Sequence, residues 1–313
     1  MNNESNIFVA GHKGLVGSAI VRKLKKLGFK NIITQDRNQL DLMDSNEVNN
    51  FFKHNNINYV FDAAARVGGI HANDYYSAEF IYENTRIQMN LIHYANLYKV
   101  ENFIFLGSVC IYPKYAETPV KEEALLKGEL EPTNEAYAIA KIHGIHMLKA
   151  YNKQYGMKGV SLMPSNLYGP NDNYHPDNGH VIPSLIHKLH NQLDKVICWG
   201  DGSPKREFLY VDDLAEASIF AAGNYGNAEL INVGSGHDIS IKELVKLLVE
   251  IIDYKGEISW DNTKPNGTPK RPLDYSKIQS LGWQPKYSLR EGLKKSYEWY
   301  KDNIDIVMKK ILD

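Results

Sequence analysis

The chain has 313 residues, 43% of them hydrophobic, enough to bury one large core or two modest lobes. Its 36 basic and 37 acidic residues leave a formal net charge of -1, and no run of like charge resembles a nucleic-acid arm or a polybasic membrane anchor, so a small-molecule partner is expected. Only Cys110 and Cys198 are present, too few for a disulfide framework and in no zinc-ligand spacing; a reducing, cytoplasmic setting without a structural metal is expected.

The N-terminus, "MNNESNIFVAG", passes from polar residues straight into a short strand pattern, without the basic region and longer apolar core of a secretory signal. No apolar segment approaches the ~20 residues of a membrane span. The first half then alternates β-rich runs with helical patterns: "NIFVAG", a helix from 16 to 27, "NIITQD", a helix near 45 to 54, "YVFDAAA", a helix near 78 to 98, and "NFIFLGS". Such alternation predicts an α/β fold with a parallel sheet flanked by helices. From 170 to 204 the chain carries Pro170, Pro176, Gly179, Pro183, Gly200, Gly202 and Pro204, which predicts loops and one short helix over 184 to 191, away from the main sheet. The last segment, 240 to 313, reads as mostly helical with a loop at "KPNGTPKRP".

Two local patterns carry chemistry. "FVAGHKGLVGSAI" puts Gly11, Gly14 and Gly17 between a strand and a helix, the context of a dinucleotide-binding turn. There glycine lets backbone approach a pyrophosphate, and the helix N-terminus offers N–H donors and a positive dipole. In "NEAYAIAKIHG", Tyr137 and Lys141 are four residues apart, on one helical face and about one turn apart. An adjacent cation favours the phenolate, so the pair is expected to lower the phenol pKa and make Tyr137 a general acid. An exposed amphipathic helix with an incidental tyrosine is the simpler account of that spacing alone.

The G-x-x-G-x-x-G turn, Ser108 in "FLGSVCIYP", and Tyr137 with Lys141 together resemble the extended short-chain dehydrogenase/reductase family, over nearly the whole chain. "MPSNLYGPNDN" and "REFLYVDDLAEA" are similar to its later signatures. The resemblance implies a Rossmann-type doubly wound parallel sheet with a smaller C-terminal substrate lobe. It divides the chain into a dinucleotide-binding domain, 1 to 170 with 205 to 235 returning to it, and a substrate-binding lobe, 171 to 204 and 236 to 313. It also implies a nicotinamide cofactor: Gly11, Lys13, Gly14, Leu15, Val16, Gly17, Arg37, Leu106, Lys141, Pro164, Asn166, Leu167 and His180 would line it.

Further stretches, "ARVGGIHAN", "GSVCIYPK" and "NLYGPNDNYHPDNGHVIP", are similar to family members acting on GDP-4-keto-6-deoxy sugars as 3,5-epimerase and 4-reductase. A C4 ketone acidifies the C3 and C5 protons, so one acid and one base nearby can invert both carbons through an enolate. The resemblance places that pair at Cys110 and His180, the proton donor for reduction at Tyr137, the ribose contact at Lys141, and the carbonyl contact at Ser108. Cys110, two residues after Ser108 in an extended reading, would point to the same side; a small core hydrophobe is its other account. The GDP diphosphate would meet Lys188, Trp199, Arg206 and the loop with Asn266 and Arg271. Lys188 stands where better-known members carry arginine, and Asn266 where they carry aspartate.

Cofactor choice is mixed in "TQDRNQLDL". Lys13 and Arg37 would accommodate the 2′-phosphate of NADPH, whereas Asp36 would favour NADH if it points inward. The resemblance further implies a homodimer through a four-helix bundle, with the segment near 78 to 98 and the Tyr137 helix as candidates through Phe80, Ile87, Leu91, Ile145 and Leu148. The alternatives to the bifunctional reading are a C4-reductase of a GDP-4-keto-heptose and a non-catalytic nicotinamide sensor.

Overall fold

The computed structural model describes residues 1–176, 179–192, 194–263 and 272–312. Four consecutive apolar residues form β1 (Ile7–Ala10), all of them buried, as a strand covered on both faces requires. The chain continues through α1 (Leu15–Lys26), the two-residue edge strand β2 (Ile32–Ile33), α2 (Ser45–Asn55), β3 (Tyr59–Asp62), α3 (Ile70–Tyr75), α4 (Ser77–Leu97), β4 (Asn102–Leu106), α5 (Glu135–Tyr155) and β5 (Gly159–Pro164). After β6 (Asn166–Tyr168) come α6 (Val181–Asn191), β7 (Lys195–Trp199), β8 (Lys205–Tyr210), α7 (Val211–Asn224) and β9 (Glu229–Val233). The remainder is β10 (Asp238–Ser240), α8 (Ile241–Ile252), β11 (Glu257–Asp261), α9 (Ser276–Gln279), α10 (Leu289–Asp302) and α11 (Ile304–Leu312).

Six strands form one parallel sheet in the order β2-β1-β3-β4-β5-β9. This is the doubly wound parallel architecture expected from the sequence. The chain leaves β1 in one direction to make β2 and returns on the other side as β3, so the carboxyl ends of β1 and β3 flank the switch point where such sheets bind ligands. Alternate residues divide between two faces. Phe8, Val60, Phe103 and Phe105 pack with Leu91 of α4 and Ile145 and Leu148 of α5, while Val9, Phe61, Ile104 and Leu162 pack with Ile20 of α1 and Leu214 of α7.

The breaker-rich stretch does leave the main sheet. Strands β10, β8 and β6 make a small sheet of their own, and β7 pairs in parallel with β11. A third core, with Ile186, Leu189, Val196, Leu244, Leu248, Leu293 and Tyr300, joins these pieces to α6, α8 and α10. Capping boxes start α8 (Ser240 with Glu243) and α10 (Ser288 with Glu291). The short helix expected over 184 to 191 begins earlier, at Val181, because Pro183 falls in its first turn, where a missing N–H costs no intrahelical bond.

Phe80, Leu91, Ile145 and Leu148, offered by the sequence as bundle residues, are at most 2% exposed and belong to the core. The apolar stripe of each helix is taken up by the sheet and by packing between α4 and α5. Other apolar residues of these helices face outward: Tyr82, Leu97, Ile139 and Tyr155. Among the described residues, no helix is long and apolar enough to cross a membrane, and no cluster of metal-ligating side chains occurs.

Candidate functional site

The glycine turn follows β1 directly. Gly11 has φ +73°, and a Cβ there would lie 2.6 Å from the Ala63 carbonyl oxygen, so only glycine fits beside the end of β3. A Cβ on Gly17 would run into the Gly11 carbonyl, whereas one on Gly14 would sit 3.5 Å from the same oxygen, in ordinary contact. The Gly14 N–H donates to Gly11 O at 3.0 Å, and Gly14 caps α1 without any side-chain hydrogen bond. No acidic residue lies in the first turn of α1, so its field stays positive towards an anion. Leu15 and Val16 are half-buried behind the turn.

Lys13 and Asp36 settle each other's orientation. The Lys13 ammonium donates to the Asp36 carboxylate at 2.9 Å, and this bond pulls the Asp36 pKa below its ordinary value. Arg37 is exposed beside them. The glycine cradle, which a Cβ would fill, and the cations beside the end of β2 fit a dinucleotide phosphate.

Ser108, Cys110, Tyr137 and Lys141 meet beyond β4. Lys141 is 3% exposed, and its ammonium donates to the Leu106 carbonyl at 2.8 Å. The same nitrogen lies 4.9 Å from the Phe105 ring centroid and 5.8 Å from that of Tyr137. Ser108 caps a single 3-10 turn, Val109–Ile111, its hydroxyl oxygen accepting from the Cys110 N–H at 3.4 Å. The extended reading of this segment is therefore corrected: β4 ends at Leu106, and a turn, not strand alternation, places the buried Cys110.

The expected direction of the tyrosine shift is also corrected. Burial pushes the Tyr137 phenol above its ordinary pKa, and the Cys110 and Asp62 charges push the same way. The Lys141 ammonium, 5.8 Å from the Tyr137 ring centroid, does not reverse this. Tyr137 thus keeps its proton, as an acid must. Its ring remains partly open to solvent. Burial pulls Lys141 down, opposed by Asp62 and Cys110.

His180 is the N-cap of α6 and is exposed. Its hydrogen bond with Asp172 raises its pKa. The loop that carries Asp172 is tied to α1, with the Asn171 amide donating to the Ser18 hydroxyl at 3.1 Å. Pro164 ends β5, Asn166 donates to Glu207 O at 2.9 Å, and Leu167 is half-buried in β6.

The residues expected at the diphosphate are more dispersed. Lys188, in the last turn of α6, lies close enough to Cys198 of β7 for its charge to oppose the burial that raises that thiol. Trp199 ends β7 and is 54% exposed. Arg206 stands in the other small sheet, opposite Ile239, and donates to Lys205 O at 2.8 Å. Asn266 and Arg271 lie outside the described residues.

Two residues were passed over in the sequence. Asp62 ends β3, is 1% exposed and faces Lys141; a carboxylate closing an apolar strand at a switch point is the signal that marks it. Asp172, the partner of His180, had no comparable signal, since its role depends on how a loop folds back.

A parallel sheet with a glycine-lined switch point and a serine, tyrosine and lysine beyond its fourth strand define a nicotinamide-dependent α/β enzyme class. The chain belongs to the NAD dependent epimerase/dehydratase family, whose model matches residues 7–234. It is 52% identical over 307 residues to GDP-L-fucose synthase 1 of Arabidopsis thaliana, covering 97% of this chain and 95% of that protein. Among solved structures, a GDP-6-OMe-4-keto-L-xylo-heptose reductase from C. jejuni superposes with TM-score 0.92 at 36% identity, over 97% of this chain and 99% of that one. A GDP-L-fucose synthetase from Naegleria fowleri bound to NADP gives TM-score 0.92 at 27% identity, over 97% of this chain and 95% of that one.

Proposed function

We propose that this chain is a bifunctional 3,5-epimerase and NADPH-dependent 4-reductase of a GDP-4-keto-6-deoxy sugar, giving GDP-L-fucose or a close GDP-sugar. The observation that carries the reading is the convergence of Ser108, Cys110, Tyr137 and Lys141 beyond β4, in a chain half identical to a GDP-L-fucose synthase. The chemistry supplied by bound NADPH is a hydride for C4. Gly11, Gly14 and Gly17 with the N-terminus of α1 would hold its pyrophosphate, and Lys13 with Arg37 its 2′-phosphate. The Lys13–Asp36 bond supports NADPH, because it turns the carboxylate towards a cation instead of leaving it bare.

In the first half-reaction Cys110 and His180 serve as the base and acid that invert C3 and C5. Ser108 and Tyr137 hydrogen-bond the C4 oxygen as enolate charge develops. His180, whose pKa the bond to Asp172 raises, is suited to return a proton. In the second half-reaction Tyr137 gives its proton to the C4 oxygen. Lys188, Trp199 and Arg206 are assigned to the GDP end, in the part of the chain built on the third core; that separate core supports its reading as a substrate lobe. Outward-facing Tyr82, Leu97, Ile139 and Tyr155 on α4 and α5 support a homodimer through a four-helix bundle. Two free cysteines suit a reducing cytoplasm.

The test is NADPH oxidation with GDP-4-keto-6-deoxy-D-mannose by the parent and by Cys110→Ser. The variant should reduce C4 while losing inversion, because a thiol can ionise to the thiolate that acts as base, whereas a serine hydroxyl stays protonated at working pH. Equal inversion by both proteins would make Cys110 a core residue. The likeness to a heptose reductase favours a second reading, a C4-reductase of a GDP-4-keto-heptose without epimerase activity. Turnover of the heptose substrate alone would select it.

A further inference from the structure

Asp62 closes β3 at the switch point, paired in register with Ala10 on one side and Phe105 on the other. Side-chain alternation puts it on the sheet face of Val60 and Phe105, the face covered by α5. On that face Lys141 Nζ stands 4.9 Å from the Phe105 ring centroid and bonds the carbonyl of the next residue, Leu106. Both Asp62 carboxylate oxygens are sealed from solvent and lack a well-formed hydrogen bond, the Ala64 backbone making only a weak approach. A carboxylate buried this way is costly unless a cation faces it.

We propose that Asp62 is a positioning residue of the reductase site: its buried carboxylate acts through space, without a direct hydrogen bond, as the negative charge that keeps Lys141 an ammonium at the carboxyl end of β4, one helical turn from Tyr137. The inference rests on the roles assigned above to Tyr137 and Lys141. The titratable groups facing Asp62 are those two, from α5, and Cys110 faces them in turn from the 3-10 turn. His143, further along α5, is engaged with Gln88 of α4 at 3.1 Å. Ala10 and Phe105, from the flanking strands, carry no charge.

The Asp62 charge opposes proton loss from both Lys141 and Tyr137. Removing it therefore moves both titrations the same way, to lower pH. For Asp62→Asn, the alkaline limb of kcat/KM for NADPH-dependent reduction should move down by about one pH unit, the scale of a buried charge pair. Asp62→Glu, which keeps the charge, should hold the limb at the parent position. A merely structural aspartate would change the amount of active enzyme without moving the limb. An unmoved limb in Asp62→Asn, or the same shift in Asp62→Glu, overturns the proposal.

A second measurement needs neither a folded Asp62 variant nor substrate. In protein labelled with 13C at the aspartate carboxyls, one resonance should titrate near pH 6, where burial holds Asp62, and should titrate higher in Lys141→Met. If no resonance responds to Lys141→Met, the two charges are not coupled and the proposal falls. If the coupling is found but the parent protein reduces no keto sugar, the functional reading fails and the coupling stands.

Discussion

Lys141 and Leu106 are 35 residues apart in the chain, yet the lysine ammonium donates to the leucine carbonyl across 2.8 Å. This bond ties the first turns of α5 to the end of β4, and so fixes Tyr137 relative to Ser108. The catalytic pair is thereby anchored to the most rigid element of the fold, a central strand buried on both faces.

Tyr137→Phe tests the acid. The ring would stay against Phe80, which it meets edge-on at 6.2 Å between centroids, and only the phenolic oxygen would be lost. Reduction should fall by roughly 100-fold or more, the scale of a general acid, with NADPH binding largely retained. Hydride transfer within about threefold of the parent would remove Tyr137 from that role.

Two neighbouring glycines should respond differently to alanine. Gly17→Ala drives a methyl into the backbone of Gly11, which cannot move without dislodging β1. NADPH affinity, read by fluorescence titration, should drop roughly tenfold or more, about 1.4 kcal/mol. Gly14→Ala meets only an ordinary contact and should keep most of the affinity. Equal losses would mean that the turn is not shaped as described.

Coenzyme preference should follow the Lys13–Asp36 pair. Lys13→Ala should lower the ratio of kcat/KM with NADPH to that with NADH by about fivefold, the ratio that ~1 kcal/mol gives. Asp36→Asn should raise it, because the lysine is then free for the phosphate. A ratio unchanged in both variants would place the 2′-phosphate elsewhere.

Much of this site was legible as local spacing. The glycine turn needs only a strand, three glycines and a helix in order, and Tyr137 with Lys141 needs only a helix. The missing parts depended on packing. Spacing shows the neighbouring cation but does not report burial, and burial decides the direction of the Tyr137 shift. The position of Cys110 depended on where β4 stops, which its pairing with β5 and the Ser108 cap determine. Asp62 gained meaning only when β3 was laid beside β4 under α5. Likewise the apolar stripe of α4 looked the same whether it faced a partner or the core, and it faces the core.

The His180–Asp172 bond carries a pH prediction. A histidine whose folded pKa is raised contributes stability that is fully present below the unfolded value and is lost as pH rises through the folded one. Asp172→Asn should therefore lower Tm at acid pH, with the difference fading above neutrality. Deuterium exchange into substrate should lose its alkaline limb at lower pH than in the parent. A Tm difference that grows with pH would show that His180 is not the group involved.

The most direct measurement is product NMR after incubation of the protein with GDP-4-keto-6-deoxy-D-mannose and NADPH in deuterated water. Epimerisation through an enolate should place solvent deuterium at C3 and C5, hydride delivery should leave protium from NADPH at C4, and the sugar should have the L configuration. A product reduced at C4 with no deuterium at C3 or C5 would contradict the epimerase half of the account, and an unreduced keto sugar with NADPH unconsumed would contradict the whole.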